Sequence, residues 1–168
     1  MATEGGCLCG AVRFRTEAAP MRTRTCWCRL CQSLGAGGAT VNVCFPTEGL
    51  LIEGETADYV STADSGATMH RRFCPKCGTP LFSEAEQRPH LIFVRAGALN
   101  DREIAAPAET IWTSEAPTWA CIDPTIPNLA RQPPPLSAPH PIPLIPAKAG
   151  TQAFFVAEPE PPKLRQPP

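Results

Sequence analysis

The chain has 168 residues, 43% hydrophobic and 18% charged, with a formal charge of −1 and an isoelectric point near 6.3. That is one domain's length, and without a basic surplus nucleic acid and anionic membrane surfaces are poor candidate partners. No apolar run approaches the roughly 20 residues of a membrane span, and Met1–Gly6 has neither a basic nor an apolar leader character, so the expected location is cytoplasmic.

In chain order, Ala11–Arg15 alternates Val12 and Phe14 with two arginines, which predicts a half-buried strand of period two. Thr40–Phe45 repeats the pattern, with Val41, Val43 and Phe45 on one face. Shorter strands are predicted at Leu50–Glu53, ended by Gly54, and at Asp58–Val60, ended in the polar run Ser61–Gly66. Leu91–Val94 is continuously apolar, as a central strand covered on both faces would be. No segment sustains a 3.6-residue period; the best helical stretch is one turn at Arg29–Leu34, stopped by Gly35, Gly37 and Gly38. The fold class is therefore all-β, short antiparallel strands with little helix.

Fourteen of the 21 prolines fall between Pro124 and Pro168. From Gln132 onward the composition forbids ladders and helices, because so many residues lack an N–H. Residues 1–131 are read as the domain, and 132–168 as an extended, unpacked tail; Pro146–Gln152 looks like an appended repeat element. A core of about 130 residues is modest and benefits from a staple.

Cysteine supplies that staple. Seven of nine cysteines form three clusters, Cys7/Cys9, Cys26/Cys28/Cys31 and Cys74/Cys77. In a reducing compartment, metal ligation is the expected use. Cys74-Pro75-Lys76-Cys77-Gly78 has the spacing at which two thiolates chelate one zinc, with proline presetting one φ and glycine permitting a positive one. A redox pair of this spacing normally opens a helix, which Gly78-Thr79-Pro80 forbids. Gly6-Cys7-Leu8-Cys9-Gly10 offers the complementary pair, completing a closed four-sulfur structural site.

Cys26-Trp27-Cys28-Arg29-Leu30-Cys31 differs in offering three thiolates within six residues. Three ligands leave a fourth position free, the mark of a reactive zinc, unless Cys44, Cys121 or a histidine closes it as a second structural site. Three thiolates would bring the net charge to −1 and weaken the ion as a Lewis acid toward water. A soft external thiol is the better fourth ligand, and ligation deprotonates it.

The motifs G-G-C-L-C-G-A-V-R-F at 5–14, C-W-C-R-L-C-Q at 26–32 and F-C-P-K-C-G-T-P-L-F at 73–82 resemble those of the glutathione-dependent formaldehyde-activating family. These are the S-(hydroxymethyl)glutathione synthases and their relatives, centromere protein V-related proteins among them. The resemblance spans about residues 4–130. It implies a zinc-bound β-tent fold, a structural zinc on Cys7, Cys9, Cys74 and Cys77, and a catalytic zinc on Cys26, Cys28 and Cys31. It further implies the addition of glutathione to formaldehyde, a carbon–sulfur lyase reaction run in reverse, with small-molecule thiol and aldehyde as partners. Family members commonly have histidine where this chain has Trp27, so either a proton-transfer partner is lost or Trp27 walls a bulkier substrate.

Glutathione carries two carboxylates, which makes Arg24, Arg29, Arg71, Arg72 and Arg95 candidates for its pocket, although each taken singly reads as a solvated surface charge. Trp112 and Trp119 are candidates for a cleft wall or for core packing. Cys44 and Cys121 read as buried inert thiols, His70, His90 and His140 as unassigned, and Glu53, Glu55, Asp58 and Asp64 as solvated faces. The rival to an enzyme is a non-catalytic zinc-stapled β module that binds protein or nucleic acid; the acidic isoelectric point counts against the latter.

Overall fold

The computed structural model describes residues 2–133. Nearly all of the proline-rich segment expected to be a tail, from 134 onward, lies outside the described residues. In chain order the elements are β1 (Thr3–Gly6), β2 (Arg13–Thr16), β3 (Arg22–Cys26), α1 (Arg29–Leu34), β4 (Thr40–Pro46), β5 (Leu51–Glu53) and β6 (Ala57–Thr62). Then follow β7 (Thr68–Phe73), β8 (Pro80–Ala85), β9 (Leu91–Arg95), β10 (Glu109–Ile111) and β11 (Asn128–Leu129). The fold is all-β, and α1 occupies the expected single turn. Among the described residues no helix is long and apolar enough to cross a membrane.

A three-stranded sheet, ordered β1-β2-β5, leans on an eight-stranded sheet ordered β11-β10-β3-β4-β9-β8-β7-β6. Between them Val12 and Phe14 of the small sheet meet Val43, Phe45, Phe82, Ile92 and Val94 of the large one. The Phe14 and Phe82 rings meet edge to face, 5.4 Å apart. Gly5 lets β1 pass close to this core, since a Cβ there would lie 2.1 Å from the Ala98 carbonyl oxygen. The expected central strand is β9, flanked by β4 and β8.

The strands pair antiparallel, as expected, except at one edge of the large sheet. β10 runs parallel to both β3 and β11. The connection 96–108, with its two 3-10 turns, supplies the long crossover that a parallel pair demands. β3 and β7 escape the hydrophobic pattern because polar residues occupy most of their positions.

Register decides what each face carries. Cys26 pairs with Thr40, Asn42 with Arg95, Ser83 with Phe93, Arg71 with Ser83 and Tyr59 with Arg71. With alternate residues on opposite faces, Cys26, Thr40, Asn42, Arg95, Ser83, Arg71 and Tyr59 all lie on the face away from the core.

Two residues read as unassigned or solvated are paired. His70 Nδ1 meets the Asp58 carboxylate, and Nε2 lies 3.2 Å from Glu86 Oε1. Cys44 is buried as expected, whereas Cys121 is exposed.

Truncating Phe82→Ala in the inter-sheet core should cost about 3–5 kcal/mol in chemical denaturation. Its hydrogen bond with Asp58, then that with Glu86, raises the His70 pKa above 6.5. A raised folded-state value stabilises fully below about 6.5, and the contribution is lost as pH rises through the raised value. Proton NMR titration should place His70 above 6.5, and Asp58→Asn should lower it.

Candidate metal centres

Two turns of the same build bring the first four cysteines together. After β1, the Cys7 N–H donates to the Val12 carbonyl (3.0 Å) and the Gly10 N–H to the Cys7 carbonyl (3.1 Å). Between β7 and β8, the Cys74 N–H donates to the Thr79 carbonyl (3.0 Å) and the Gly78 N–H to the Cys74 carbonyl (2.9 Å). Gly78 has a φ of 71°, the positive value expected of the glycine after Cys77, and Gly10 has one of 77°.

The four sulfurs all lie within 4.8 Å of one another, with Cys7–Cys9 at 3.5 Å and Cys9–Cys74 at 3.7 Å. A disulfide would need about 2.05 Å. Ligands of one tetrahedral zinc, each about 2.3 Å from the ion, stand about 3.8 Å apart, so the donor set fits that ion. Surrounding donors suit sulfur anions: the Val12 N–H points at Cys7 Sγ (3.2 Å). Thr79 Oγ1 accepts from the Leu8 N–H (3.1 Å), freeing its own proton for Cys77 Sγ at 3.1 Å. The Thr79 hydroxyl, then its backbone, holds the Cys77 pKa down to about 5. At Cys9 the Ala11 N–H favours the thiolate, but hydrogen bonding with Cys7 and Cys77 outweighs it and pushes the pKa up to about 11.

The second cluster sits where β3 turns into α1. Cys26 ends the strand; Cys28 caps the helix, its Sγ accepting from the Cys31 N–H at 3.5 Å; Cys31 lies in the first turn. Their three sulfurs also lie within 4.8 Å of one another. No other histidine, cysteine, aspartate or glutamate among the described residues joins them. Gln32 ties the turn to the rest of the fold, its amide donating to the carbonyls of Trp27 (2.6 Å) and Glu115 (2.9 Å).

Thr40 links this cluster to a cation. Its Oγ1 accepts from Arg95 Nη1 and from Asn42 Nδ2, both at 3.2 Å, leaving the hydroxyl proton for Cys31. Hydrogen bonds from Cys26 and Cys28, then Thr40 and the Arg95 charge, draw the Cys31 pKa far down, while the same sulfur contacts push Cys26 up. Sulfurs this close oppose one another's ionisation, and a cation must displace the protons for all three to ionise together.

Aromatic side chains enclose the triplet. Trp27 is buried with Cys26, Cys31, Ile111 and Trp112, and its ring meets Trp119 edge-on at 6.2 Å. Trp119 is 69% exposed, a cover over Trp27 and not a core residue. Trp112 is buried, and its indole N–H donates to Gln132 Oε1 (3.2 Å).

The five candidate arginines separate into two groups. Arg24 joins Arg22 on Glu109, Arg72 bonds Glu84 at 2.7 Å, and Arg29 bonds Gln32 at 2.7 Å. Arg71 and Arg95 pair with no carboxylate among the described residues, and together with Arg72 they line one cleft of about 140 Å³ with Leu34, Tyr59, Phe73 and Phe82. Read singly as solvated charges, Arg24 and Arg95 prove to be only 9% and 8% exposed. Sequence reasoning passed over Thr40, Asn42 and Ser83; the alternation that put Val41 and Val43 inward could have placed Thr40 and Asn42 outward.

The profile described as "Glutathione-dependent formaldehyde-activating enzyme" matches residues 2–115. A Halomonas elongata protein named "Putative glutathione-dependent formaldehyde-activating enzyme" is 31% identical over 131 residues, covering 73% of this chain and 82% of its own. A crystal structure of a Rhodobacter sphaeroides protein aligns with a TM-score of 0.48 at 22% identity, over 62% of this chain and 96% of that one. By its cysteine motifs, by the profile match and by the Halomonas elongata relative, the chain belongs to the glutathione-dependent formaldehyde-activating enzyme family.

Proposed function

We propose that the protein is a cytoplasmic zinc enzyme that adds the thiol of glutathione, or a similar thiol, to formaldehyde or another small aldehyde. In this reading Cys26, Cys28 and Cys31 hold the catalytic zinc, and Cys7, Cys9, Cys74 and Cys77 the structural one. The observation that carries it is the gathering of three sulfurs, with no fourth ligand beside them among the described residues, close to the Arg71 and Arg95 side of a cleft that Arg72 also lines.

A zinc ion held by the triplet would offer a soft fourth position that binds an incoming thiol and lowers its pKa. The rest falls to the chain. Thr40 aims its proton at Cys31, and Arg95 sets one positive charge against the −1 of a three-thiolate site. Trp27 and Trp119 limit water on the cluster's apolar side. In the addition, sulfur bonds to the aldehyde carbon, the carbonyl π bond opens, and the proton lost by the thiol ends on oxygen. Residue 27 is an indole with no titratable group, so that proton travels through solvent. Bringing the two reactants together accounts for most of the acceleration.

Exchange NMR on the zinc-loaded chain should show faster formation of the glutathione–formaldehyde adduct than in buffer alone; an unchanged rate would remove the enzyme reading. Cys28→Ser should leave a folded protein with one zinc and no acceleration. Cys77→Ser opens the closed site, whose binding energy is of order 10 kcal/mol, and should unfold the chain by circular dichroism. Equal behaviour of the two variants would contradict the division into catalytic and structural sites. Zinc should also be lost as pH falls, since protons compete for the sulfurs.

A further inference from the structure

The edge of a sheet carries unpaired backbone N–H and C=O groups, and folded proteins shorten, cover or charge such edges. Among the edges of the two sheets, β5 has three residues and β11 two. The edge at β1 is covered by the 99–100 segment: Gly5 bridges to Leu99, and the Asn100 N–H donates to the Glu4 carbonyl (3.0 Å). β6 has no such protection. It ends the large sheet with six residues, Ala57-Asp58-Tyr59-Val60-Ser61-Thr62, without proline, lysine, arginine or a bulge in its register with β7. Its single charge is turned back into its own sheet, since the Asp58 carboxylate accepts from the Arg71 N–H (2.9 Å) and meets His70 Nδ1. Tyr59 is 57% exposed and Val60 51%, and among the described residues no strand pairs with the outer side of β6.

The hairpin decides which groups face outward. Just beyond the Thr62–Thr68 pair, the Ala63 N–H donates to the Ala67 carbonyl (2.9 Å). Hydrogen-bonded pairs alternate along an antiparallel ladder, so Ala57, Tyr59 and Ser61 turn their backbone groups to β7, while Asp58, Val60 and Thr62 turn theirs outward. We propose that β6 pairs antiparallel with β6 of a second copy of this chain, Val60 on Val60, about a two-fold axis perpendicular to the sheet. In that register Asp58 lies opposite Thr62 of the second copy, and every outward N–H meets an outward C=O. A slip of two residues in either direction leaves Thr62 or Asp58 unpaired. The side chains fit the same register. Val60 packs on Val60 on one face, and on the other Tyr59 lies opposite Ser61 of the second copy. The two Asp58 residues stand four positions apart along the ladder, about 13 Å, so no like charges face each other. This match of the strand to itself favours a second copy over an unrelated extended peptide, and the contact closes at two chains. Tyr59 also stands at the rim of the Arg71/Arg95 cleft, so Ser61 of the second copy joins that rim and both clefts open on one face of a continuous sheet. The inference depends on neither the metals nor the reaction.

Sedimentation velocity of the zinc-loaded full chain, with a phosphine reductant to keep thiols free, should show twice the 18.0 kDa monomer mass at high concentration and the monomer on dilution. Val60→Lys sets two like charges across the axis, and Val60→Pro removes an outward donor without touching the bonds to β7; both should stay monomeric. Leu51→Lys, an exposed change on the small sheet, should dimerise as the parent does. Amide hydrogen exchange of the parent reads the register without any variant. The amides of Asp58, Val60 and Thr62 should be protected in the concentrated sample and exchange freely in the dilute one, whereas those of Tyr59 and Ser61 stay protected in both. A monomer at every concentration overturns the proposal, as does a dimer that survives both Val60 variants. Fast exchange at the three outward amides of the dimer, or growth beyond two chains, overturns it equally.

Discussion

Crowding of sulfur is the constraint on which the rest of this structure depends. Seven cysteine side chains are held in two groups whose atoms lie within 4.8 Å of one another, closer than thiolates can stand without a cation between them. The hydrogen-bond donors around them, from the Val12 and Cys31 backbones and the Thr79 and Thr40 hydroxyls, are arranged for negative sulfur. Metal loading and folding are therefore one problem. In a domain of this size net stability is only about 5–15 kcal/mol, so a closed zinc site is comparable with the whole.

The two clusters differ in what surrounds them, and that difference separates scaffold from chemistry. Cys7, Cys9, Cys74 and Cys77 join the turn after β1 to the β7–β8 turn, clamping the small sheet to the large one over the core of Phe14, Phe82 and Val94. Cys26, Cys28 and Cys31 come from one strand end and one helical turn, beyond the opposite face, with aromatic rings on one side and guanidinium groups on the other. The large sheet serves both ends at once: its alternation sends apolar residues inward and the row from Cys26 to Tyr59 outward.

Local features were the legible ones. Each cysteine cluster lies within six residues, so its chelating spacing can be read directly, and α1 falls at Arg29–Leu34 because Cys28 caps it and glycines follow it. Strands β2 and β4 show themselves through apolar alternation, β9 as an unbroken apolar run, and β5 and β6 as short segments ended by turn residues. Strand β3 is held in part by a pairing made far away in sequence: its Arg24 depends on Glu109 of β10, 85 residues on, which no local pattern reveals. The same holds for the site. The arginines could be nominated one by one, yet only distant partners tell them apart: Arg24 shares a sheet face with Asn42 and Arg95 but is held by Glu109, and Arg72 is held by Glu84. Cys121 went wrong for a related reason: its burial depends on how the segment after Trp119 lies, not on its own neighbours.

The central claim is that one metal is fully enclosed by sulfur while the other has room for a substrate thiol. Cadmium-113 NMR of the cadmium-substituted protein tests it directly, because chemical shift follows the number of sulfur ligands. The account predicts two resonances, of which glutathione moves one and leaves the other in place. A single resonance, or two that both ignore glutathione, would contradict it.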